Sequence, residues 1–141
     1  MLTKSAPYLL DEQVGFLMRK AWQRHTAIFA EHMDEDLTPM QFSVLVRLME
    51  IGPCSQNRLG RLVATDAATI KGVVDRLAGR HLILTAFDPV DRRRLLVSIT
   101  GNGEEVVARA IEHARQVTEA TLEPLNPGER DKLLRLLAKL T

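Results

Sequence analysis

The chain has 141 residues, 45% of them apolar and 26% charged, with a formal net charge of +1. That length supports one compact domain with a real core, and no apolar run is long enough to cross a bilayer. The single cysteine, Cys54, excludes an intrachain disulfide and a Cys-rich zinc site. Asp11 and Glu12 follow the short N-terminal apolar stretch too closely for a cleavable signal, so a reducing cytoplasm is expected. Residues 9–33 predict one long helix: Leu10, Val14, Leu17, Ala21, Ile28 and Met18, Trp22, His25, Phe29, Met33 form two rows at helical spacing. Together they are wider than one surface stripe, which predicts burial on two sides, one of them by another subunit.

Thr38-Pro39-Met40-Gln41 combines an N-cap, a proline at the first helical position and a capping-box glutamine. The helix it opens ends at Gly52-Pro53. Ser55 caps a short helix containing Leu59, Leu62 and Val63, and Asp66 caps another that runs to Gly79. The period then changes: residues 82–87 and 95–99 read as strands joined by Asp88-Pro89-Val90-Asp91-Arg92-Arg93-Arg94. Thr100 starts a further helix, and Asn126-Pro127-Gly128-Glu129 starts the last. The order predicts a mainly α fold with a small β-hairpin wing, a winged helix-turn-helix.

Charge is uneven along this order. Residues 55–98 hold eight Lys/Arg against four acids, for +4, and the rest of the chain sums to −3. A basic centre suits a polyanion. With Ile70, Val73, Val74 and Leu77 turned to the core, the helix after Asp66 presents Ala67, Ala68, Thr69, Lys71, Gly72 and Arg76. Small residues there permit close approach to base edges, while Thr69 and Lys71 reach bases or phosphates. A merely solvated face is the alternative. Arg92, Arg93 and Arg94 repel one another on a tight loop, and a polyanion relieves that repulsion. An arginine projecting from such a loop suits a narrow minor groove, with Asp91 as a local acceptor. Ser55, at the start of the first short helix, is counted with these DNA-facing residues.

Enzyme chemistry has no foothold in the sequence. His25, His32, His81 and His113 are scattered without metal-site spacing, and no phosphate-cradling loop or nucleophile turn is present, so neither metal nor cofactor is expected. A winged helix used only for protein contacts is the remaining rival; it predicts no salt-dependent DNA affinity.

Leu59-Gly60-Arg61-Leu62, the run Thr69 to Leu77 ending Val74-Asp75-Arg76-Leu77, Leu82-Ile83, and Asp91-Arg92-Arg93 leading to Ile99-Thr100 and Gly103 resemble the MarR family of bacterial regulators. The resemblance covers nearly the whole chain, with two departures. Arg58 stands where an acid is common, and Gly60 where alanine is. It implies a homodimer built from helices in residues 1–36 and 101–141, flanking a DNA-binding lobe at 37–100. It also implies double-stranded, pseudo-palindromic operators, a recognition helix from Asp66 to Gly79, and Arg93 in the minor groove. A dimer seated on promoter DNA blocks polymerase, so repression is expected.

Members of that family respond to small aromatic acids bound between the dimer helices and the DNA-reading lobe. The start of this chain is similar to members controlling aromatic or N-heteroaromatic acid breakdown. His25, with Arg19 or Arg24, is the candidate holder of a ligand carboxylate beside Trp22 and Phe42, and Tyr8 the candidate cover. A structural histidine bonded to a backbone carbonyl is the alternative. Cys54 offers a second, redox switch; its place before the Ser55 cap also fits a packing role.

Overall fold

A computed structural model describes residues 5–141; the first four residues of the expected 1–36 segment lie outside the described residues. The chain forms helices α1 (Val14–His32), α2 (Pro39–Ile51), α3 (Gln56–Leu62), α4 (Ala67–Gly79), α5 (Gly101–Leu122) and α6 (Pro127–Lys139). Strands β1 (Cys54–Ser55), β2 (Ile83–Phe87) and β3 (Leu95–Ile99) make an antiparallel sheet in the order β1-β3-β2. This is the winged helix-turn-helix architecture, mostly helical with a small sheet.

Five of the six helices, α2 to α6, start at a side-chain cap, whereas α1 has none. Thr38 and Asn126 close full capping boxes with Gln41 and Glu129. Ser55, Asp66 and Thr100 each accept from the backbone N–H three residues on, at 3.2, 2.7 and 3.0 Å. The Thr69 N–H holds the Asp66 carboxyl below the usual carboxylate range, so the cap is anionic at neutral pH.

Two elements differ from the sequence reading. The first helix does not run unbroken from residue 9. A 3-10 turn at Leu10–Glu12 precedes α1, and Gln13 between them is extended, its side-chain amide donating to Leu9 O at 2.8 Å. The sheet also has a third strand: Cys54 pairs with Val97 and Ser55 with Leu96. Gly52, at φ +78°, turns the chain out of α2 to make that pairing.

The core lies under the helix-turn-helix and wing. Val44, Leu45, Leu48, Leu59, Ile70, Val74, Leu77, Ile83, Val97 and Val107 are fully buried, so α5 contributes to the same core through Val107. Gly60 lets α3 approach α4, since a Cβ there would stand 3.2 Å from Ile70 Cγ2. That is tight rather than forbidden. Outside this lobe burial is sparse: within α1 only Phe29 is buried, and α6 buries nothing. The second side of α1, expected to be covered, is open in the single chain, with Val14 63% and Trp22 57% exposed.

Candidate nucleic-acid interface

The face of α4 opposite its buried Ile70, Val73, Val74 and Leu77 carries the residues that the sequence marks as candidates for reading DNA. Ala67, Ala68, Thr69, Lys71 and Arg76 are exposed and Gly72 half-buried. Lys71 Nζ sits 2.8 Å from Asp75 Oδ2, both well exposed. Such a pair contributes little to stability, so the ammonium is free to exchange its partner for a base or phosphate. The Arg76 guanidinium lies back along the helix beside Gly72, where a Cβ would stand 3.6 Å away, in ordinary van der Waals contact. The Asp66 cap takes the Thr69 N–H, so that donor is not offered to a ligand.

The wing is braced by its own acids. Asp88 N–H donates to Arg94 O at 2.9 Å and Arg94 N–H to Asp91 O at 3.0 Å, closing the loop. Asp88 Oδ1 accepts from Val90 N–H at 2.8 Å. Asp91 Oδ1 accepts from both the backbone N–H and the Nε of Arg93, at 3.0 and 3.2 Å. The Arg93 side chain is thus aimed while remaining 91% exposed. Arg92 and Arg94 flank it, also exposed.

Between wing and helix-turn-helix lies a polar concavity of about 380 Å³ lined by Ser55, Gln56, Asn57, Arg61, Arg93 and Arg94, among others. Asn57 and Arg61 also line a second, adjoining concavity beside Ala67. Asn57 and Arg61 therefore link the wing side of this surface to the start of α4, with Gln56 lining the wing side alone, and sequence reasoning missed all three. The signal was present: positions 57 and 61 share a face at helical spacing just after the Ser55 cap. Ser55 itself is buried and its hydroxyl is committed to capping α3, which limits what it can offer DNA.

The five residues proposed for a ligand do not share one cavity in the single chain. Tyr8 and Arg19 line a concavity of about 370 Å³ at the start of α1, and Phe42 lines another beside α3. Trp22 and His25 stack with ring centroids 5.4 Å apart on the outer part of α1. The His25 Nδ1 partner is Thr121 Oγ1 at 2.9 Å, not a backbone carbonyl. Arg24, considered beside Arg19, donates instead to the carbonyls of Thr121 and Ala120, completing the end of α5. No group of three His, Cys, Asp or Glu among the described residues is placed to hold a metal.

Cys54 is buried against the core in β1. Burial pushes its thiol pKa up, and the nearby Arg58 charge only partly offsets this. Alkylation of the folded protein at neutral pH is therefore expected to run about tenfold or more slower than that of the denatured chain, measured by mass spectrometry. Peroxide should leave DNA binding intact. Loss of binding in the wild type but not in Cys54→Ser would overturn this assignment.

The family model described as MarR family matches residues 37–95, the span from the α2 cap to β3. The HTH-type transcriptional repressor NicR of Pseudomonas putida is 45% identical over 137 residues, covering 96% of this chain and 87% of that one. The chain belongs to the MarR family. Among solved structures, BpsR of Bordetella bronchiseptica, whose DNA binding is regulated by 6-hydroxynicotinic acid, superposes with a TM-score of 0.91 at 42% identity, covering 96% and 97% of the two chains. PcaV of Streptomyces coelicolor, in complex with its natural ligand, gives 0.89 at 29% identity, covering 96% of each. This MarR protein is a DNA-binding transcriptional repressor and not an enzyme. None of its described helices is long and apolar enough to cross a membrane.

Proposed function

We propose that this MarR protein works in the cytoplasm as a homodimer on pseudo-palindromic operators and leaves them on binding a small N-heteroaromatic acid. The wing geometry carries the DNA half of this reading. Arg93 is held by Asp91 at the edge of a cationic concavity, next to a helix with a small-residue outer face. In this arrangement α4 enters the major groove and Arg93 the flanking minor groove.

Apolar faces without cover support the dimer. Val14, Leu17, Met18 and Trp22 on α1 and Leu134, Leu136, Leu137 and Leu140 on α6 are all at least 40% exposed in the single chain. A helix such as α6, with no buried residue, has too little packing to stand alone. Residues 1–36 and 101–141 are accordingly the dimerising segments, and 37–100 the DNA-binding lobe.

The effector reading rests on Arg19, Trp22 and His25, spaced by three along α1, and on the likeness to NicR and BpsR. A pyridine carboxylic acid needs a cation for its carboxylate, a flat wall for its ring and a polar group for its ring substituents. Arg19 with Tyr8, Trp22, and His25 supply these, with Phe42 as a further wall once a second copy completes the pocket. Calorimetric titration with 6-hydroxynicotinate is expected to show binding to the wild type and an affinity loss of about tenfold or more in His25→Ala. Unchanged affinity in His25→Ala would remove His25 from the site. No heat with the wild type would end the assignment of this acid.

A further inference from the structure

Three links join the recognition helix to α5 around a closed path. Arg80, the C-cap of α4, donates through the two terminal guanidinium nitrogens, Nη1 to Asp36 O at 2.7 Å and Nη2 to Glu35 O at 3.0 Å, in the α1–α2 loop. The side chain of Glu35 turns inward, 5% exposed, and its Oε1 accepts from His113 Nδ1 on α5 at 2.6 Å. His113 Nε2 in turn faces Asp34 Oδ2 at 3.5 Å. The path closes where α5 begins: Thr100 Oγ1 donates to His81 O at 2.7 Å and Thr100 N–H to Leu82 O at 3.0 Å. The far end of α4 is thus fixed to α5 directly by residues 81–82 and, through Arg80 and the loop, again at His113, thirteen residues further along α5.

Stability alone is a poor reason for this arrangement. Glu35 Oε2 is buried with no hydrogen-bond partner among the described residues, and a half-satisfied buried carboxylate is costly. An apolar residue at position 35 would pack there without that cost. What the carboxylate provides is direction: it holds the loop so that two successive carbonyls point at the planar fork of Arg80. The buried Ile70, Val73, Val74 and Leu77 seat α4 on the core, and the anchor at the start of α5 holds its last turn there. The second anchor, through Arg80 and the loop, ties that same turn to a point further along α5, so the angle between the two helices is set at two places.

We propose that Arg80, Glu35 and His113 form a strut that sets the angle of the recognition helix relative to α5, so that the α4 helices meet successive major grooves. They are positioning residues and touch no base in this account. The proposal rests on α4 being the recognition helix.

The test is fluorescence anisotropy on a duplex from upstream of the protein's own gene and on a scrambled duplex of equal length. Arg80→Lys keeps the charge but loses the fork, and Glu35→Gln keeps the shape but loses the charge. Each is expected to lower affinity for the upstream duplex about tenfold, with the scrambled duplex within about twofold. The double variant should be no weaker than the weaker single variant, because both break one path. His113→Gln serves in place of Glu35→Gln if the latter fails to fold by circular dichroism. Wild-type affinity in Arg80→Lys, equal losses on both duplexes, or additive losses would each overturn the strut. Ala68→Gln, on the outer face of α4, separates the two levels. If it leaves upstream binding intact, α4 is not the reading helix; if it abolishes binding while the strut variants do nothing, only the strut fails.

Discussion

Replacing Arg93 by alanine is expected to weaken operator binding by about 10- to 100-fold, since the proposed dimer would lose two wing contacts at once. The guanidinium is exposed yet aimed, held by Asp91 Oδ1 through both the Arg93 backbone and Nε. Preorganisation reduces the side-chain entropy lost on binding. Asp91→Ala keeps all three arginines but removes the brace, so it should cause a smaller loss on the operator and little change on random DNA. The slope of log affinity against log salt should fall by about 2 in Arg93→Ala, one cation from each wing. Anisotropy titrations across a salt series measure both quantities. Equal affinity and equal slope in Arg93→Ala would remove the wing from the DNA interface.

Gly103→Ala is expected to destabilise the fold by about 3 kcal/mol or more, through overpacking at a point that cannot yield. A Cβ on Gly103 would lie inside the van der Waals surface of Leu82 O and 2.7 Å from Ile99 Cγ1. The Leu82 carbonyl is itself fixed, accepting from Thr100 N–H at 3.0 Å, and the Gly103 N–H is the donor that Thr100 caps. Relief would require pulling α5 off the end of α4, which breaks the junction between the DNA-reading lobe and the helix beside it. Thermal denaturation measures this, and a melting temperature within about 2 °C of wild type would show that the junction is looser than described. By contrast Gly60→Ala should be tolerated, because Ile70 Cγ2 needs to give only a few tenths of an ångström.

Where function was legible in the sequence, local chemistry made it so. The five caps at Thr38, Ser55, Asp66, Thr100 and Asn126 each act within three residues, so the helix starts and the order of elements could be read along the chain. The inward face of α4 was legible for the same reason, through helical periodicity. What was not legible depends on residues far apart in sequence. Strand β1 is two residues long and exists only because β3, some forty residues later, offers it an edge. The Glu35–His113 and Arg80–loop bonds span 78 and 44–45 residues, with no local pattern to announce them. Of the ligand residues only Trp22 and His25 share a helical row, and in the single chain Phe42 faces a different concavity from Tyr8 and Arg19. Period places side chains on one helix; it does not say which second helix, or which second subunit, lies opposite.

If two copies present two α4 helices and two wings to one duplex, hydroxyl-radical footprinting of the upstream duplex, with stoichiometry from sedimentation, should show it. Two protomers per duplex and two protected segments are expected, one for each α4, about 10 base pairs apart centre to centre, with minor-groove protection outside each that disappears in Arg93→Ala. A single protected segment under one protomer, or uniform protection without phase, would rule this arrangement out.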